Sequence, residues 1–149
     1  MTKPSVRFQR ANFVVRDLDA ALKFYVDVLG LSVDLIKTSE KTSYSYTVFD
    51  IPRSAPIRFA VLSAPGQPRV MALTEIQAPL PPKPHPRSAA IVLEMPDVDA
   101  AMDRARAKGF EIIPEAVLLT QDGRTGREIG LIDADDHLIV IYTISEPAH

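Results

Sequence analysis

A chain of 149 residues, 46% hydrophobic and 24% charged, has the size and balance of one folded domain and lies far from disordered compositions. The absence of cysteine excludes disulfides, thiolate nucleophiles and Cys-ligated zinc or iron–sulfur sites. Seventeen basic and nineteen acidic residues nearly cancel, giving a net charge of -2 with no field to gather nucleic acid or anionic lipid, and no apolar run reaches the roughly 18 residues of a membrane span, so a cytoplasmic protein is expected.

In chain order, Asn12 to Gly30 (NFVVRDLDAALKFYVDVLG) predicts a short strand followed by a helix. Asp17 suits the N-cap, Asp19 lies in the first turn where the helix dipole favours an acid, and Gly30 suits the C′ position. Leu18, Leu22, Tyr25, Val26 and Leu29 would form its apolar stripe. Strand-like runs follow at Tyr44 to Phe49, Ile57 to Leu62 and Val70 to Ile76, each bounded by Ser, Pro or Gly. The segment APLPPKPHPR, residues 78 to 87, is too rich in proline for a helix or central strand and predicts an extended linker.

From Ile91 the pattern begins again. Ile91 to Gly109 (IVLEMPDVDAAMDRARAKG) repeats strand, Asp-x-Asp-Ala-Ala and a Gly-terminated helix, with Asp97 as N-cap and Val98, Ala101, Met102 and Ala105 as the apolar positions. Strands are predicted at Ile112 to Leu119, Arg127 to Ile132 and Leu138 to Ile144. The turn signal at Gln121-Asp122-Gly123 predicts a hairpin loop, flanked by Arg124 and Arg127. Asp133, Asp135, Asp136 and His137 read as a tight turn rather than a calcium loop, which would need a Gly and a distant Glu that are missing. The expected fold class is α+β: one domain over residues 1–149, with βαβββ modules at 7–77 and 88–146 whose curved mixed sheets enclose a central cavity.

Three motifs carry a family resemblance. Asp17-Leu-Asp-Ala-Ala-Leu-Lys-Phe-Tyr-Val-Asp-Val-Leu-Gly30-Leu31 resembles the first-module signature of the vicinal oxygen chelate superfamily, the glyoxalase, bleomycin-resistance and extradiol-dioxygenase group. Pro96-Asp97-Val98-Asp99-Ala100-Ala101 with Gly109 is similar to its second-module signature, and Asp133-Ala-Asp-Asp-His-Leu-Ile-Val140 to its closing hairpin. Together they span roughly residues 7 to 145. The resemblance implies the fold but no single activity, since the scaffold hosts isomerases, lyases, dioxygenases and drug-binding proteins.

The resemblance also implies a divalent metal held at four positions, which here carry Arg10, Ala72, Ala90 and Val140. A guanidinium has no acceptor lone pair, and Ala and Val offer no ligand atom, so neither metal nor cofactor is expected. Side chains two apart share a sheet face, so these positions identify the cavity wall. Arg10, Asn12, Ala72 and Thr74 would line it from the first module, and Ala90, Val92, Val140 and Tyr142 from the second, with Tyr46 stacking on a planar ligand. Arg10 would either clamp an oxyanion where the metal stood or snorkel to solvent at a strand start. Glu94 is the candidate buried base, with a rim position as its plainer reading, and Tyr142 the candidate donor. These residues predict a metal-free protein that binds a small apolar or aromatic molecule, anionic in one version. The alternatives are a metal-independent isomerase or lyase using Arg10, Glu94 and Tyr142, and last a metal-dependent glyoxalase or dioxygenase. A homodimer is the expected assembly, without nucleic-acid or membrane partners.

Overall fold

The computed structural model describes residues 4–145. Its elements are β1 (Ala11–Val15), α1 (Leu18–Leu22, continuing as π-helical turns over Lys23–Val28), β2 (Ser32–Thr38), α2 (Ser45–Val48), β3 (Arg58–Ala64), β4 (Gln67–Glu75), β5 (Ile91–Glu94), α3 (Val98–Ala107), β6 (Glu111–Leu119), β7 (Thr125–Ile132) and β8 (Leu138–Ile144). The fold is α+β with two βαβββ modules, each forming a four-stranded mixed sheet. Two compact units result: the chain up to Leu18 with Gly30–Pro79, and Asp19–Leu29 with the chain from Leu80 onward. No helix among the described residues is long and apolar enough to cross a membrane.

The first unit carries the sheet β1-β4-β3-β2, with β1 parallel to β4 and the other pairs antiparallel. Val15, Ala60, Leu62, Met71 and Leu73 are buried on one face of the sheet and Val61, Ala72 and Thr74 on the other, so the inner strands β3 and β4 are buried on both faces over part of their length. The second sheet, β5-β8-β7-β6, repeats the topology with β5 parallel to β8. There Ile129, Leu131, Ile139 and Ile141 are buried, as are Val98, Ala101, Met102 and Ala105 of α3. Asp97 caps α3 by accepting from the Ala100 amide at 3.0 Å. Its other end closes as a Schellman motif: the Phe110 amide donates to the Ala105 carbonyl and that of Gly109 to Arg106, with Gly109 at φ 78°.

Two expectations are corrected. Tyr44–Phe49 contains no strand: Ser45–Val48 is a helical turn, and the strand that pairs with β3 is Ser32–Thr38. The aromatic residues of 44–49 suit a strand, but Tyr46, Ile51 and Ile57 are buried together as a cluster of their own. The Ser39 amide donates to the Ile57 carbonyl and closes the loop at its base. The apolar stripe of α1 also shifts. Phe24 and Val28 are buried, as are Leu18, Tyr25 and Leu29, while Leu22 and Val26 are only half-buried. Lys23–Val28 bonds in the i→i+5 manner, as in the Leu29 amide to the Phe24 carbonyl, yet the buried set Leu18, Ala21, Phe24, Tyr25, Val28 and Leu29 keeps i, i+3, i+4, i+7 spacing, so the expected stripe is centred too far towards Leu22 and Val26.

Candidate functional site

Strand register places the four family positions in matching places. Asn12 pairs with Ala72 in the first sheet and Val92 with Val140 in the second, and Arg10 and Ala90 lie two residues before Asn12 and Val92. The donor set at these positions does not fit a divalent cation, because Arg10, Ala72, Ala90 and Val140 supply no lone pair. Among the described residues no group of three or more His, Asp or Glu side chains gathers to hold a metal.

On the first sheet, Asn12, Ala72 and Thr74 share a face with Val61 and Phe59 of β3, which pair with Ala72 and Thr74. Thr74 is buried, and its hydroxyl donates to Asn12 Oδ1 at 2.9 Å. Arg10 is exposed just ahead of β1 and donates its Nε to the Arg69 carbonyl at 3.3 Å. Tyr46, expected to stack on a ligand, is 2% exposed inside its own cluster, with its hydroxyl donated to the Ala55 carbonyl at 2.7 Å. Lys41 and Arg53 lie over its ring, 5.7 and 5.6 Å from the centroid.

On the second sheet, Val92, Val140, Glu94 and Tyr142 share a face, with Glu128 directly across from Tyr142. Val92 is exposed to 60%. Glu94 is exposed, not a buried base: it stands at the end of a four-residue strand, just before the turn into α3, where no layer of side chains covers it. The Tyr142 hydroxyl donates to Glu94 Oε2 at 3.1 Å, and that bond, followed by partial burial and the carboxylate's charge, raises the phenol's pKa. Ala90 is exposed beside these residues in sequence, immediately ahead of β5.

The best-satisfied polar centres lie elsewhere in each unit. Asp133 has a fully buried carboxylate that accepts from the Tyr25 hydroxyl at 2.7 Å, from His137 Nδ1 at 2.8 Å, and from the Asp135 and His137 amides. Burial alone would raise its pKa, but the His137 and Tyr25 bonds outweigh it and hold the carboxyl low. Tyr25 shifts upward, through burial first and then the neighbouring Asp133 charge. The tight turn expected at 133–137 is thus confirmed, with Asp136 at φ 65°.

In the first unit Glu75 is the equivalent centre. It is 2% exposed and accepts from Arg58 Nε and Nη2, from the Leu18 amide at 2.6 Å and from Gln77. These bonds overcome the effect of burial and lower its pKa. Leu18 begins α1, so Glu75 satisfies an amide that the helix leaves without an internal partner. Arg127, read from sequence as a loop flank, clamps Asp99 of α3 and Glu115 of β6 at 2.7–3.0 Å. Sequence reasoning missed all three roles. The available signals were the acid ending the apolar run Val70–Thr74 and the lone Tyr within the stripe of α1.

The sequence model of the Glyoxalase/Bleomycin resistance protein/Dioxygenase superfamily matches residues 7–141. The chain belongs to this superfamily. No curated protein matches it. Among solved structures, a glyoxalase family protein from Bacillus cereus is similar with TM-score 0.76 at 18% identity, over 98% of this chain and 99% of that one. An antibiotic binding protein from a Streptomyces species has TM-score 0.63 at 18% identity, over 97% and 100%. A fosfomycin resistance protein from Listeria monocytogenes, complexed with Mn(II) and dihydroxypropylphosphonic acid, has TM-score 0.61 at 17% identity, over 93% and 92%. At these identities the similarity is one of fold.

Proposed function

We propose that this superfamily member binds a small, largely apolar or aromatic molecule without a metal, on a sheet face such as those marked by Asn12 in the first unit and by Tyr142 in the second. The observation that carries the reading is the chemistry of the four family positions: Arg10, Ala72, Ala90 and Val140 contain no ligand atom for a cation. Apolar side chains interrupted by a few polar groups, as on both faces, are the common makeup of a small-molecule site. The likeness to an antibiotic binding protein agrees with it.

A second reading draws on the Tyr142–Glu94 hydrogen bond. A carboxylate paired with a phenol can accept a proton from a substrate, with Arg10 stabilising a developing oxyanion, in a metal-independent isomerase or lyase.

Elemental analysis separates these readings from metal-dependent chemistry. After incubation with zinc, nickel, iron(II) and manganese followed by desalting, the protein is expected to retain no stoichiometric ion and to gain thermal stability with aromatic ligands. About one ion per chain would overturn the proposal. Turnover lost in Arg10→Ala would favour the second reading over the first.

A further inference from the structure

We propose that Thr74 orients Asn12 so that, with Arg10, it forms a donor-only subsite for the oxyanion end of the ligand, a carboxylate or phosphonate on an aromatic body. This deepens the small-molecule reading above and rests on it.

A primary amide presents an acceptor on one side and donors on the other, and which side faces outward depends on what holds it. Here the buried Thr74 hydroxyl donates to Asn12 Oδ1, so the oxygen is engaged by the sheet and the NH2 group is the part offered outward from an exposed residue. Two positions earlier, just ahead of β1, Arg10 donates its Nε to the Arg69 carbonyl, which ties down the guanidinium and leaves its two terminal NH2 groups to a ligand. Arg69 is itself tethered, its amide donating to Ser63 Oγ at 2.8 Å. The rest of this face adds no acid: Val61 and Phe59 lie beside Ala72 and Thr74, and the β2 partner of Phe59 is Lys37. Asp34, at the bulge of β2, accepts from Ser63 Oγ.

Such an edge discriminates by chemistry. An oxyanion finds charge-assisted donors from both Arg10 and Asn12. A neutral amide brings donors of its own that meet no acceptor, and an ammonium meets only like charge. A turned Asn12 amide would present its oxygen and accommodate the neutral ligand, but it would make Thr74 Oγ1 the acceptor and strip the buried hydroxyl proton of the oxygen it now donates to. Thr74 is therefore a positioning residue for selectivity.

The test is a titration of the full chain with benzoate, phenylphosphonate, benzamide and benzylammonium, followed by nitrogen-15 NMR of the Asn12 side-chain amide and Arg10 Nε. Both anions should give saturable shifts at these two groups, with affinities about tenfold or more above benzamide, and benzylammonium should give none. Arg10→Ala should abolish the anion preference. Thr74→Val should bring benzoate and benzamide toward equal affinity without changing the backbone spectrum elsewhere, and Thr74→Ser, which keeps the hydroxyl, should restore the preference. Equal or tighter binding of the neutral or cationic probe, anion binding indifferent to Arg10→Ala, full preference in Thr74→Val, or no binding by any probe would each overturn the subsite. Binding of benzamide without anion preference would do so while leaving the small-molecule reading intact. A stoichiometric metal in the same sample would overturn that reading instead.

Discussion

Tyr25→Phe removes one hydroxyl and nothing else from the second unit. The ring keeps its edge-to-face contact with Phe24, at 4.9 Å between centroids, and no cavity larger than an oxygen atom is made. What is lost is a 2.7 Å hydrogen bond to the Asp133 carboxylate, whose side chain is fully buried. A hydrogen bond to a charged group contributes about 1.5–3 kcal/mol, and Asp133 keeps its bonds from His137 and two amides, so the expected loss is about 2 kcal/mol at pH 7. For a chain of this size that lowers Tm by about 4–8 °C. The folded pKa of Asp133 is depressed below the unfolded value near about 3.9. Its stabilisation is therefore fully present above that value and is lost as pH falls through the folded pKa. Urea titrations of the wild-type protein and the Tyr25→Phe variant should show their largest gap at about pH 5–7, narrowing as the carboxyl protonates. A loss under about 0.5 kcal/mol, or a gap indifferent to acid, would refute the assignment of Asp133 as a charged hub.

Three further perturbations follow from the same structure. Glu75→Gln replaces a buried carboxylate that accepts from Arg58, Leu18 and Gln77, and should cost about 2–4 kcal/mol by urea unfolding. With the Glu75 pKa lowered, its wild-type advantage is present above about pH 4.3 and disappears as pH falls through the folded pKa. Gly126→Ala drives a Cβ into the Thr143 carbonyl oxygen, a backbone atom in the paired strand β8, so β7 must shift; a loss of about 1–3 kcal/mol is expected, and a neutral variant would show that the start of β7 yields freely. Arg127→Ala frees two surface acids, Asp99 and Glu115, whose pKa values its guanidinium lowers, so it should lower Tm at low ionic strength and do so less in high salt, whereas a salt-independent loss would point to packing of the side-chain stem.

The legible parts of the fold were those written in local pattern. Asp97 followed by Val98, Ala101, Met102 and Ala105 and ended by Gly109 specifies α3 almost residue by residue, and the structure has that cap, that buried face and that left-handed glycine. The repeat of the same motif around Asp17 made the duplication visible, and with it the two sheets. Tyr44–Phe49 misled because its aromatic residues suit a strand, while Ser32–Thr38, exposed along its whole length, shows no alternation to detect. An edge strand with both faces accessible leaves little trace in hydrophobic period. For the candidate site, spacing identified the positions but not their surroundings. Arg10 and Glu94 are both exposed, and Tyr46 is inside a core.

The sequence by itself determined the modular α+β architecture, the ends of α3 and the absence of metal donors at the four family positions, because each depends on residues close in the chain or on side-chain chemistry alone. The tertiary structure decided the polar centres. Tyr25 meets Asp133 across 108 residues and Glu75 reaches the Leu18 amide across 57. No local pattern encodes such pairings, since a buried carboxylate is stable only where several distant donors converge on it, and that convergence exists only after the sheets have formed.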